Sequence, residues 1–146
     1  LSTGACTYKE IGEALKILNK PFVFLLHCVS AYPCDFKNVN LSRIQTLVSK
    51  FGGTLPGYSG HAPGVYDAIA SLEYQVSVIE KHFTIDNNLP GRDNKFAILP
   101  QELKFLTDYI KYREEMRRPH MTSGLSSDYI PCEEDVRTTY RGRWDN

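Results

Sequence analysis

The chain has 146 residues, 42% hydrophobic and 23% charged, enough for one domain with its own core. Seventeen basic residues balance seventeen acidic ones, so no net field draws it to nucleic acid or anionic lipid, and neither partner is expected. The longest apolar run, PFVFLLHCV at 21–29, falls short of the roughly 20 residues of a membrane span and suits a buried strand.

From its first residues the chain alternates strand and helix. LSTG at 1–4 reads as the exit of a strand. Thr7 and Glu10 then form a capping box, and Ile11, Leu15 and Leu18 set an apolar stripe on a helix that Pro21 stops. Phe22 to Val29 form a nearly continuous apolar strand. After the loop SAYPCDFKNV, Asn40 is expected to cap a second helix bearing Leu41, Ile44, Leu47, Val48 and Phe51, closed by Gly52-Gly53. Leu55 to Ser59 give a short strand, Val65 to Leu72 a short helix, and Val76 to Ile85 the next strand. Beyond the loop DNNLPGRDNKFAI, Pro100 opens a helix carrying Leu103, Leu106 and Ile110. From about Arg117 the sequence turns polar, and residues 119–146 are expected to form an irregular C-terminal tail.

Apolar strands alternating with helices indicate a parallel α/β domain over residues 1–118. Units of roughly 25 residues suit a (β/α)8 TIM barrel, and a whole barrel needs about 250 residues. Three strands and the end of a fourth therefore predict the C-terminal half of a barrel, about strands 5–8. Leu1 is not an initiator Met, which suits a fragment or a processed chain. Cys6, Cys28, Cys34 and Cys132 show no CxxC pair, so reduced thiols and a cytoplasmic location are expected.

The polar residues of the strands collect at STG (2–4), HCVSAYP (27–33), GYSGH (57–61) and EKHFT (80–84). All four stretches lie at the C-terminal ends of their strands, the rim on which parallel barrels build active sites. Strand alternation puts Ser59 with His61, and Glu80 with His82 and Thr84, on the inner face; Tyr58, Lys81 and Phe83 then face the helices. Two histidines on neighbouring strand ends can reach one ion, and imidazole suits Mn²⁺, Zn²⁺, Fe²⁺ or Co²⁺. Ser2, Ser30 and Ser59, with Gly4, Gly57 and Gly60, can either bind a phosphate or carboxylate or serve turn chemistry.

Taken together, LSTG, LLHCVSAYP, PGYSGHAPG, VIEKHFTID and LPGRDNKFAILPQEL closely resemble the sialic acid synthase family, from residue 1 to about residue 115. The resemblance implies condensation of phosphoenolpyruvate with an N-acetylated hexosamine such as N-acetylmannosamine, giving a nine-carbon 2-keto acid and phosphate. It implies a divalent metal, Mn²⁺ or Mg²⁺, on His61 and His82, with Glu80 assisting beside them. Ser2, Ser30 and Ser59 match the family's phosphoenolpyruvate contacts, and Tyr32 and Asp93 its sugar contacts. Gly60 stands where many bacterial members carry Asp, and Ser30 where Asn is frequent. The ending PCEEDVRTTYRGRWDN does not resemble the family's antifreeze-like domain. A homodimer, or pairing with an N-terminal half barrel, is implied. Three alternatives accompany this reading: a legionaminate-type or spore-coat synthase using another amino sugar, an inactive half barrel serving binding or assembly, and a two-histidine metallohydrolase.

Overall fold

The structure, a computed structural model, describes residues 1–117 and 131–141. Residues 1–116 form one compact unit, and the described residues 117 and 131–141 belong to a second.

The first unit is built on a parallel sheet of three strands, β1 (Phe24–Cys28), β2 (Leu55–Gly60) and β3 (Val78–Lys81), in sequence order. Single bridges extend it at both sides, Ser2 beside Leu26 and Ile98 beside Phe83, again parallel. Connecting the strands are α1 (Tyr8–Leu18), α2 (Arg43–Lys50) and α3 (Tyr66–Ser71), and α4 (Pro100–Arg117) follows. Sequence and structure thus agree on a parallel α/β arrangement.

Local chemistry accounts for the element ends. Thr7 Oγ1 accepts from the Glu10 amide while the Glu10 carboxylate accepts from the Thr7 amide, so the capping box forms as expected. The second helix departs from expectation. It starts at Arg43, because Asn40 sits in the left-handed region (φ 47°) and its side chain accepts from Ser42 Oγ at 2.9 Å instead of capping. The strand predicted over Val76–Ile85 is also shorter, and beyond Lys81 it continues only as the bridge at Phe83.

Register fixes the two faces. His27, Tyr58 and Ile79 lie side by side across β1, β2 and β3, and so do Cys28, Ser59 and Glu80 on the opposite face. The first face meets the helices. Leu25 packs with Ile11 and Leu47, Tyr58 with Ile44, and Ile79 with Ala68, Ile98 and Leu106. Leu25, Ile44 and Leu47 are each buried to 1% exposure, contributing on the order of 1.5–3 kcal/mol apiece.

Residues 119–146 were expected to form an irregular tail; those of them that the structure describes hold a 3₁₀ turn at Pro131–Glu133 and a helix, α5 (Glu134–Thr139). Acidic Glu134 and Asp135 in its first turn suit the helix dipole. The rest of the expected tail lies outside the described residues.

Candidate functional site

Strand ends bring most of the predicted residues together. Ser59 Oγ donates to Glu80 Oε1 at 2.7 Å, joining the ends of β2 and β3. One step further along, His61 and His82 follow the same faces, with ring centroids 5.2 Å apart. The rings therefore converge, as period-two alternation requires.

His61 is held from behind. His61, 5% exposed, has Nδ1 at 2.8 Å from the Val29 carbonyl oxygen. That carbonyl can only accept, so Nδ1 donates, and in the neutral ring the lone pair lies on Nε2. His82 Nδ1 lies 3.7 Å from Asp93 Oδ2. Tyr32 covers both rings, its centroid 4.3 Å from His61 and 6.1 Å from His82. Phe96 closes the group, 6.1 Å from Tyr32 and 5.2 Å from His82.

Ser30 is exposed after the end of β1, and Ser2 is exposed beside Leu26. A side chain on Gly4 would run into Ser30 Oγ and, at 2.8 Å, Cys28 Sγ, so glycine keeps that approach open. Ser2 itself makes no hydrogen bond, ion pair or ring contact with the cluster among the described residues.

Two members escaped the sequence reading. Cys28, 8% exposed, lies in register with Ser59 and 3.8 Å from His61 Nδ1. Burial pushes its thiol up, against the opposing hydrogen bonds of Ser59 and Ser30. Its position two residues before Ser30 was the available signal. Phe96 comes from a loop without periodicity, and nothing in the sequence marks it.

Behind the sheet, Lys81 Nζ pairs with Asp67 Oδ1 at 3.1 Å and donates to the Ala62 carbonyl oxygen at 2.6 Å. Tyr58 Oη donates to Asp67 Oδ2 at 2.8 Å. Burial and the Asp67 carboxylate push the Tyr58 hydroxyl far above its usual range. This cluster belongs to the helix side, where Tyr58 and Lys81 were expected to point.

Among the described residues no group of three His, Cys, Asp or Glu side chains is arranged to hold an ion. The donor set does fit a pair of ligands. Two imidazoles 5.2 Å apart and tilted by 58°, with Glu80 adding an oxygen donor on the same face, make a mixed nitrogen and oxygen set that could take a divalent cation.

A match to the NeuB family covers residues 1–120. Similar proteins include an N,N'-diacetyllegionaminic acid synthase of Campylobacter jejuni, 42% identical over 116 residues, which are 76% of this chain and 34% of that protein. The N-acetylneuraminate-9-phosphate synthase of Homo sapiens is 32% identical over 87% of this chain and 34% of its own length. The crystal structure of an N-acetylneuraminic acid synthetase from Leptospira borgpetersenii, in complex with citrate, superposes with a TM-score of 0.70 at 33% identity, over 100% of this chain and 50% of that one. The chain thus spans between a third and a half of the length of these relatives.

Proposed function

As the chain belongs to the NeuB family of sugar acid synthases, we propose that it supplies strands five to eight of a (β/α)8 synthase barrel. That barrel condenses phosphoenolpyruvate with an N-acetylated amino sugar such as N-acetylmannosamine, releasing phosphate. The observation that carries this reading is the convergence of His61 and His82, with Glu80 and Ser59, where parallel strands end.

In this reading His61 and His82 hold a divalent ion, Mn²⁺ or Mg²⁺. The ion supplies Lewis-acid polarisation of the open-chain sugar aldehyde. The Val29 carbonyl keeps the His61 proton on Nδ1, so Nε2 is free as a ligand. Tyr32, half exposed and tilted against His61, offers its ring to an apolar sugar face or the N-acetyl methyl. Asp93 accepts from sugar hydroxyls. Ser2, Ser30 and Ser59 donate to the phosphate and carboxylate of phosphoenolpyruvate, Ser59 exchanging its Glu80 partner for a substrate oxygen. As C3 of phosphoenolpyruvate bonds to the aldehyde carbon, whose oxygen takes up a proton to become a hydroxyl, water adds at C2 with Glu80 as its proton acceptor. The C2–O bond to phosphate then breaks, and the C2 hydroxyl loses its proton to leave the 2-keto group. The remaining strands come from an N-terminal half barrel or a partner copy, which also covers the open edges of the sheet.

The test is phosphate release by the complete protein, given phosphoenolpyruvate and either N-acetylmannosamine or a 2,4-diacetamido hexose. Release that requires both a divalent ion and one of the sugars supports the reading. Release without sugar points to a hydrolase and overturns it, as does no release with either sugar.

A further inference from the structure

The segment between β3 and α4 is exposed along much of its length, and Asp93 lies near its tip. Its base is buried at Phe96, Ala97 and Ile98, but residues 85–95, with Pro90 and Gly91, bury no side chain fully. They are instead tied by side-chain amides. Asn87 Nδ2 donates to the carbonyl oxygens of Asn94 at 2.6 Å and Ala97 at 2.9 Å. Asn94 Nδ2 reaches back to the carbonyl oxygens of Leu89 at 3.1 Å and Pro90 at 3.0 Å. The Asp93 carbonyl accepts from the Ala97 amide at 3.1 Å, and the base is closed by the Ile98 amide on the His82 carbonyl at 2.8 Å. Gly91 sits at φ 142°, where a Cβ would come within 2.9 Å of Asn94 Nδ2. The two carboxamides thus bind the backbone on both sides of Asp93, and Asp93 faces His82.

We infer that Asn87 and Asn94 are positioning residues, which fix Asp93 at the sugar end of the site by crosslinking its loop. This rests on the synthase reading above for what Asp93 contacts, and on the hydrogen bonds alone for the brace. Neither asparagine touches the paired imidazoles. Their effect passes through the backbone that carries Asp93, and it acts on sugar binding while the serine hydroxyls that take phosphoenolpyruvate stay in place.

The test uses Asn87→Asp and Asn94→Asp in the complete protein. Each keeps the shape of the side chain but removes its donors, turning a carboxylate oxygen toward carbonyl oxygens. Asn87→Ala serves as the uncharged control. A brace predicts a sugar KM raised about tenfold or more, the scale seen for lost supporting hydrogen bonds, with the KM for phosphoenolpyruvate unchanged within error. It also predicts faster tryptic cleavage after Arg92 and Lys95, which are both exposed, because cleavage follows loop opening. Wild-type sugar KM in all three variants overturns the inference. So does a raised KM without faster cleavage, since the side chains would then act on the sugar directly. Should the wild-type protein release no phosphate with either sugar, the synthase reading falls. The brace is then judged by cleavage alone, and an Asn87→Asp loop as resistant as wild type removes it.

Discussion

Two polar clusters grow from the same strands and differ in what they leave unfinished. On the helix side, Tyr58, Asp67 and Lys81 use each other and a backbone carbonyl, and the side chains of Asp67 and Lys81 are 0% and 5% exposed. On the opposite face, one residue along each strand, Ser59 and Glu80 bond to each other, while Glu80 stays exposed and both imidazoles keep an Nε2 without a protein partner among the described residues. Burying ionisable groups is costly unless each finds a partner. The closed cluster meets that requirement within the chain and is a structural tie. The open one keeps hydrogen-bonding capacity that no partner among the described residues takes up.

The sharpest way to break this contrast is to delete members of each cluster and measure both activity and stability. His61→Ala or His82→Ala in the complete protein should lower phosphate release on the order of 10³-fold, the loss of several kcal/mol of transition-state stabilisation. Either change should cost no more than about 1–2 kcal/mol in urea unfolding. An imidazole whose removal unfolds the protein, or leaves most activity, would dissolve the distinction. Asp67→Ala should do the reverse. It strands the Lys81 ammonium in the core and should cost about 3–5 kcal/mol of stability. Asp67→Leu combined with Lys81→Met should recover most of that loss, since no charge then remains buried. A double variant as unstable as the single one would show that the tie does more than neutralise itself.

Gly60 sharpens the same comparison at lower cost. A Cβ there would press on Asp67 Oδ2 and come within 2.7 Å of Tyr58 Cε1 and 3.1 Å of Lys81 Cδ. Gly60→Ala should therefore destabilise by about 1–3 kcal/mol as the closed cluster shifts, with the sugar KM unaltered. A changed KM at wild-type stability would mean that the two faces are coupled.

Much of this arrangement was legible from period two alone. Alternation assigned Tyr58 and Lys81 to the helices, and Ser59, His61, Glu80 and His82 to the other side, because a parallel strand offers only two directions. The capping box at Thr7 was equally local. What escaped depends on contacts distant in sequence or on competing local bonds. No pattern says which of seventeen acidic residues meets Lys81; the answer, Asp67, lies in α3 and becomes visible only once the helix packs. Asn40 has both capping and left-handed tendencies, and the Ser42 hydroxyl decided between them. Phe96 and the asparagine brace sit in a segment without periodicity, where the bonding is set by the fold of the loop itself.

A smaller effect separates the two sides by pH. His27 lies in the row with Tyr58 and Ile79, 1% exposed, with Nε2 at 2.7 Å from the Val39 carbonyl oxygen. Burial holds its pKa below the usual imidazole range, with Arg43 acting in the same sense and the Val39 bond opposing. The unfolded chain thus takes up a proton near pH 6.5, while the folded chain resists it until lower pH. The stability this contributes is complete above that point and drains away as pH falls toward the folded pKa, by at most about 1.4 kcal/mol per pH unit. His27→Gln retains a donor toward Val39 but cannot titrate. Its urea midpoint should be lower than wild type at pH 8 and should fall less between pH 7 and 5. The two proteins differ only at this imidazole, so the difference between the curves isolates His27, and parallel curves would remove it. Because this imidazole lies on the helix side, its replacement should move the unfolding curve and leave the sugar KM where it was.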